Sequence, residues 1–433
     1  MRKMKVRFLG GAEEVGKIGA YIEEGGARTL IEYGLKLRPK EAPIPPTPPP
    51  FHVDHIMLTH SHLDHCGMIP WLCRENRDAK VLSTGSTYEV AQLLWQDTIK
   101  IADMEGHHRP FEPEDIRFAM SRFVCKDFGQ TLDWGGFEVK MHRAGHIPGA
   151  TMYELNGSKT SLFTGDLNTV STRLVPGANP VKCDNLFVEG TYAGRNHLNP
   201  RLKEEYRFIE KVKEVVGRGG KVIVPCFAVG RTQEVMLLLK DLKLNMWVDG
   251  MGKHVNRIYM DFPDHLNLKD FKRAFNRFSA VRVSSDRRKV KKGADVIVTT
   301  GGMLDGGPVL EYIDAFHDDP STAVLMTGYQ VPESNGRMLR DKREIEVLTE
   351  ASRGRSPEEI LGPVETRRIK VKCEVDQFDL SAHADHPQLL KFIRGCKPEN
   401  VILMHSDQAH ILAKDLEKDF NVIMPKTNQV FEL

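Results

Sequence analysis

One short segment, Thr59-His60-Ser61-His62-Leu63-Asp64-His65, constrains this chain more than any other, because it closes the apolar strand-like run His55-Ile56-Met57-Leu58-Thr59. It packs three imidazoles and a carboxylate into residues 60–65. Core packing asks for nothing of the kind. Strand alternation places His60 and His62 on one side, and a following turn aims Asp64 and His65 at a second point a few ångström away. Two neighbouring metal ions at a strand end are therefore expected.

Two ions need further ligands, and the chain offers them at other strand ends: His146 in Ala144-Gly145-His146-Ile147-Pro148-Gly149, and Asp166 in Phe163-Thr164-Gly165-Asp166. The flanking glycines let backbone approach closely. A carboxylate set between two ions is the natural bridge, since each oxygen can bind one, and Asp166 fits that role.

The organisation around these residues changes along the chain. Strand-like runs dominate the first half: Val6–Leu9, Ala20–Glu23, Thr29–Ile31, Lys80–Leu82, then stretches near 137–142, 151–155 and 160–164. Helices there are expected to be few and peripheral. Pro43 to Pro50, with prolines at 43, 45, 46, 48, 49 and 50, reads as a stiff extended connection. From about residue 200 helix and strand alternate, which predicts a parallel α/β sheet. After Gly362-Pro363 strand-like segments return at Arg368–Val375 and Asn400–Met404. The expected arrangement is a domain formed by residues 1–195 and 366–433, interrupted by an α/β insertion of residues 196–365.

With 433 residues, 61 Lys plus Arg against 59 Asp plus Glu and 40% apolar residues, the chain has an ordinary globular composition. Net charge of +2 excludes a polyelectrolyte mode of holding partners, so a nucleic-acid surface must come from local clustering. The seven cysteines form no Cys-x-x-Cys pair and read as reduced thiols. The run Val6–Leu9 is too short for a secretory core, and no apolar run approaches a membrane span, so a cytoplasmic protein with no membrane partner is expected.

The order His-x-His-x-Asp-His, Gly-His, Thr-Gly-Asp resembles the metallo-β-lactamase fold. The resemblance implies that His60, His62 and His146 hold one ion, Asp64 and His65 the other, and that Asp166 bridges. Further on come Val188-Glu189-Gly190-Thr191-Tyr192, the long insertion, Leu380-Ser381-Ala382-His383-Ala384-Asp385 and Leu403-Met404-His405-Ser406-Asp407. This ordering resembles the β-CASP nucleases, which implies an αββα sandwich interrupted by a β-CASP α/β domain with a mainly parallel sheet. In that family Glu189, His383 and His405 are the added motifs, and His405 completes the second ion's shell. Pro225-Cys226-Phe227-Ala228-Val229-Gly230-Arg231-Thr232-Gln233-Glu234 and Thr327-Gly328-Tyr329-Gln330 look more like the cleavage and polyadenylation specificity factor endonuclease subunit than ribonuclease J. The resemblance is to short archaeal homologues without KH domains. Two departures stand out: Glu32 occupies the place usually held by Asp, and His405-Ser406-Asp407 that of His-Gly-Glu.

What the resemblance implies is a two-metal ribonuclease cutting single-stranded RNA, mainly internally, in RNA processing or decay, and leaving 5′-phosphate and 3′-hydroxyl ends. Its catalytic residues would be Asp64, which also binds metal, His383 as general acid, and Glu189 holding the His383 tautomer and raising its pKa. Zinc suits a shell mixing imidazole and carboxylate, with manganese or iron as alternatives. Arg231, Arg337 and Ser381 are candidate phosphate contacts, the arginines because a guanidinium grips two oxygens. Lys269–Lys292 carries ten basic residues and two acids, interleaved with Phe271, Phe275 and Phe278, whose helical spacing equally suits a core face. Arg367, Arg368, Lys370 and Lys372 form a second basic strip shortly before His383, and RNA is expected there first. The rival readings are 5′-to-3′ exonuclease action, a small-molecule hydrolase on the same fold, and an inactive RNA-binding scaffold. A homodimer and protein partners are left open.

Overall fold

The computed structural model describes residues 3–39, 41–349 and 365–433. The chain forms two compact units: one of Met1–Ser171, Val175–Asn196 and Ala382–Leu433, the other of Thr172–Leu174 and His197–Ser381.

The first unit is built on two seven-stranded sheets. One runs in space Val430–Glu432, Lys5–Gly10, Gly19–Glu24, Ala27–Ile31, His55–Met57, Lys80–Ser83, Phe123–Cys125; the other Asn421–Ile423, Asn400–Met404, Asn185–Glu189, Thr160–Phe163, Thr151–Asn156, Phe137–Arg143, Thr131–Trp134. In Phe137–Arg143, buried Phe137, Val139 and Met141 alternate with exposed Glu138 and Lys140, the period-two signature of a sheet wet on one side. Val6, Phe8, Ile22 and Met57 from the first sheet share one buried cluster with Val139, Tyr153, Phe163, Phe187 and Ile402 from the second. That cluster is the sandwich interior. On the first sheet's other face, Leu30, Ile56 and Val81 pack against Ile69, Leu72, Ala91 and Trp95 from the helices Ile69–Glu75 and Gly85–Glu105. On the second, the helix Ala409–Leu416 packs against Asn400–Met404, with the helix His386–Cys396 beside it. The result is the expected αββα layering.

Helices are less scarce here than the strand-rich reading expected. Pro113–Met120 begins with Pro113 and a capping box in which Glu112 and Asp115 each accept from the other's end of the first turn. Those three residues are a legible start signal.

The second unit holds a six-stranded sheet in the order Ser279–Ala280, Met246–Asp249, Val296–Thr300, Val222–Cys226, Ala323–Met326, Glu374–Gln377. Every pairing in it is parallel. Its central strands are buried along their length, as sheets covered on both faces require.

The return to the first unit falls after Ser381 and not at residue 366. The run Arg368–Val375, read as one strand, is two. Thr366–Lys370 pairs antiparallel with Glu344–Leu348, whereas Glu374–Gln377 extends the second unit's sheet beside Ala323–Met326. Strand propensity says that a segment is extended and is silent on which sheet takes it. Gly362-Pro363 lies outside the described residues.

Candidate metal centre and active site

All the expected metal ligands lie in the first unit, just beyond strand ends. The strand His55–Met57 runs into His60 and His62, and the short helix Leu63–Cys66 carries Asp64 and His65. His146 follows Phe137–Arg143, Asp166 follows Thr160–Phe163, Glu189 ends its strand, and His405 follows Asn400–Met404. Gly165 lets the Asp166 loop approach the histidine loop: its φ is +54°, and a Cβ there would stand 2.5 Å from Thr59 Oγ1. Only glycine meets both conditions without strain.

The donors form two adjoining groups. In the first, His62 Nδ1 stands 3.1 Å from both His60 Nε2 and His146 Nε2, and Asp166 Oδ2 lies 3.6 Å from each of the latter. Donors around a tetrahedral ion with bonds of 2.0–2.1 Å stand about 3.3 Å apart, so these spacings suit one ion. In the second group, Asp64 Oδ2 lies 3.4 Å from His405 Nε2 and 3.8 Å from His65 Nε2, while Asp166 Oδ1 lies 3.3 Å from His65 Nε2. Asp166 thus turns one oxygen to each group. His65 Nε2, His405 Nε2 and Asp166 Oδ1 are all buried without a hydrogen-bond partner among the described residues. Orphaned polar atoms facing one another carry a large desolvation cost unless a cation binds them, and the donor set therefore fits divalent metal.

The outer atoms of these ligands are held by partners that set the tautomers. His146 Nδ1 donates to the Ala382 carbonyl at 2.7 Å, which turns the Nε2 lone pair into the site. His65 Nδ1 donates to Glu32 Oε1 at 2.6 Å. Thr59 Oγ1 donates to the same Glu32 oxygen and accepts from His60 Nδ1 at 3.0 Å. Buried Glu32, at φ +63°, therefore orients two ligands at once. Glu32 stands where the resemblance led one to expect Asp, and its carboxylate does reach the histidines. Thr59 and Ala382 were not singled out from sequence; the adjacency of Thr59 to His60 is the one local signal.

Beside the first group, His383 Nδ1 meets Glu189 Oε1 at 3.0 Å, and His383 Nε2 points toward Asp166 Oδ2 at 3.9 Å. Glu189 is fully buried and also accepts from the Leu167 and Thr191 amides at 3.0 and 2.8 Å. Burial opposes a charged His383, but the Glu189 and Asp166 carboxylates outweigh it and hold the pKa above the ordinary imidazole value. The Tyr192 ring lies nearly parallel to His383, 5.8 Å between centroids, a neighbour that sequence reasoning missed.

The candidate phosphate contacts all belong to the second unit. Arg231 opens the helix Arg231–Leu239, Ser381 ends the unit, and Arg337 is tied to Asp341 at 2.6 Å. In the basic stretch, Phe271 and Phe278 are buried, and Arg287 is bound to buried Asp249 and to Glu311. Those two rings are core, and Phe275 is only half-buried. In the later strip Arg367, Arg368 and Lys372 have acidic partners in Asp314, Glu346 and Asp318. Among the described residues no helix is long and apolar enough to cross a membrane.

Paired metal-ligand groups on a sandwich of two sheets, with a buried carboxylate–histidine pair alongside, define a metallohydrolase of the metallo-β-lactamase type. Residues 48–226 match the metallo-beta-lactamase superfamily, residues 232–339 the Beta-Casp domain, and residues 368–425 the Zn-dependent metallo-hydrolase RNA specificity domain. The chain belongs to the β-CASP family of this superfamily. It is 34% identical to a "Probable RNase MJ4" of Methanocaldococcus jannaschii, over 98% of this chain and 99% of that protein. It is 30% identical to "RNase aCSPSF2" of Saccharolobus solfataricus over 99% and 85% of the two chains. Identity to "Transcription termination factor FttA" of Pyrococcus horikoshii is 30%, over 97% of this chain and 69% of that protein. A crystal structure of a protein of unknown function from Enterococcus faecalis V583 shares the fold with a TM-score of 0.65 and 11% identity, covering both chains completely.

Proposed function

We propose that the protein is a two-zinc ribonuclease that hydrolyses phosphodiester bonds in single-stranded RNA, mainly at internal positions, in RNA processing or decay. The observation that carries this reading is the His383–Glu189 pair beside Asp166. The relatives named as ribonucleases support the substrate class.

His60, His62, His146 and Asp166 would hold one ion, and Asp64, His65, His405 and the other Asp166 oxygen the second. Bound there, such ions supply a water of lowered pKa and positive charge for phosphate oxygens. The chain supplies the proton. Glu189 keeps the Nδ1 proton of His383 in place, so the charged ring presents its second proton at Nε2, the atom turned toward the ligand groups. Donation from Nε2 to the departing ribose oxygen leaves a 3′-hydroxyl, and the incoming water oxygen stays on the 5′-phosphate. Arg231 and Ser381 are proposed to grip backbone phosphates.

The test is incubation of zinc-loaded protein with single-stranded RNA labelled at the 5′ end, with and without chelator. Internal fragments that disappear with chelator support the reading. Release of labelled mononucleotide alone would replace it by 5′-to-3′ exonuclease action, and intact RNA would overturn it.

A further inference from the structure

The second unit's sheet contains a switch in connectivity that the proposed chemistry does not use. From Val222–Cys226 the chain crosses to Met246–Asp249 on one side of the sheet; from the neighbouring strand Ala323–Met326 it proceeds to Glu374–Gln377 on the other. Adjacent parallel strands whose connections leave in opposite directions open a crevice beyond their carboxyl ends, where α/β sheets bind ligands.

The pairing along this boundary matches that expectation. Val222–Cys226 pairs with Val296–Thr300 along all five residues, but with Ala323–Met326 only at Val222↔Ala323 and Ile223↔Val324. Past those pairs side chains make the link: Thr327 Oγ1 donates to the Pro225 carbonyl at 3.2 Å.

The first residue beyond one strand is Phe227, and Tyr329 stands just beyond the other. Both are large and apolar, and both are exposed, at 38% and 41%. The Phe227 ring is seated against two glycines. A Cβ at Gly328 would lie 3.1 Å from Phe227 Cε2, and one at Gly302 3.2 Å from Cδ1. Gln330 Nε2 donates to the Gly302 and Gly328 carbonyls at 2.9 and 3.2 Å, tying the two loops together. A ring braced in this way presents its free surface at little entropic cost.

We infer that this crevice takes a nucleobase of the RNA strand, stacked on Phe227 with Tyr329 beside it. The inference rests on the ribonuclease reading for the identity of the strand. An aromatic face accepts any base, because every base has a π-face, so the subsite fixes strand position and not sequence. Arg231, four residues after Phe227, suits the phosphate next to the stacked base.

The test measures equilibrium binding of a fluorescent single-stranded RNA to the full-length chain in chelator, so cleavage does not intrude. Wild type, Phe227→Ala, Phe227→Leu and Phe227→Trp are compared on intact RNA and on a series bearing one abasic nucleotide at successive positions. Phe227→Ala and Phe227→Leu are expected to bind intact RNA roughly 5- to 100-fold more weakly, and Phe227→Trp to restore binding. One abasic position should weaken the wild type by a similar factor and the Ala and Leu variants no further. Leucine keeps the packing against Gly302 and Gly328, so a folding defect in the Ala variant leaves the Leu and Trp pair to decide. Equal binding by Leu and Trp variants, or an abasic penalty unchanged by the substitutions, would overturn the subsite while leaving the ribonuclease reading intact. Wild-type protein that neither binds nor cuts RNA would overturn both.

Discussion

Glu32 Oε1 accepts a hydrogen bond from His65 Nδ1 at 2.6 Å and a second from Thr59 Oγ1, so a single buried carboxylate orients one candidate ligand of each group, His65 directly and His60 through Thr59. Glu32 holds this position from a left-handed backbone, φ +63°, which a non-glycine residue adopts only where surrounding structure enforces it. Glu32→Ala removes the anchor of His65 and leaves the His60–Thr59 pair without its terminus. Metal affinity should fall about 10- to 100-fold, with Glu32→Gln falling less because its amide oxygen can still accept. Zinc titration against a competing chelator reads this directly.

His383→Ala should retain its metal and lose the proton donor, lowering cleavage by about 10²- to 10⁴-fold. Metal analysis beside the rate separates this from damage to the ligand shell. A variant that cuts RNA at the wild-type rate would remove His383 from the chemistry.

The pH profile should respond to Glu189. The Glu189 carboxylate, with that of Asp166, raises the His383 pKa, so the acid form persists above the usual imidazole range and activity declines only as pH passes the raised value. Glu189→Gln removes one of those charges and should move the alkaline limb to lower pH. A limb that stays in place would assign it to another group.

Metal uptake should release protons. Without an ion, burial opposes a charged His405, but the carboxylates of Asp166 and Asp64 prevail and push its pKa up to about 10. The proton is thus present at neutral pH and must leave when metal binds, so affinity rises with pH. Calorimetry in two buffers of different ionisation enthalpy should give heats that differ in proportion.

Acid should weaken the second unit through Glu204. This buried carboxylate accepts from Arg207 Nη2, Asn199 Nδ2 and the Asp379 amide at 2.7, 2.7 and 2.8 Å, and its pKa is lowered because these donors outweigh burial. A folded pKa below the unfolded value of about 4.3 gives stabilisation that is complete above that value and is lost as pH falls from there through the lowered folded pKa. Glu204→Gln should cost about 2–3 kcal/mol at neutral pH and flatten the acid limb of the unfolding midpoint against pH.

The grouping of candidate ligands was legible because its chemistry is local and rare: His60, His62, Asp64 and His65 stand together at the end of an apolar strand, and Gly-His and Gly-Asp recur at others. Strand alternation and the helix–strand rhythm after residue 200 likewise followed from short-range periodicity. What joined Glu32 to His65, the Ala382 carbonyl to His146 and Phe227 to Gly328 was decided by tertiary structure alone. The same holds for Glu374–Gln377, whose place beside Ala323–Met326 sets the return to the first unit after Ser381. Local sequence specifies a segment's conformation and the donors it carries; which distant segment it meets depends on register and sheet order, settled when the whole core packs.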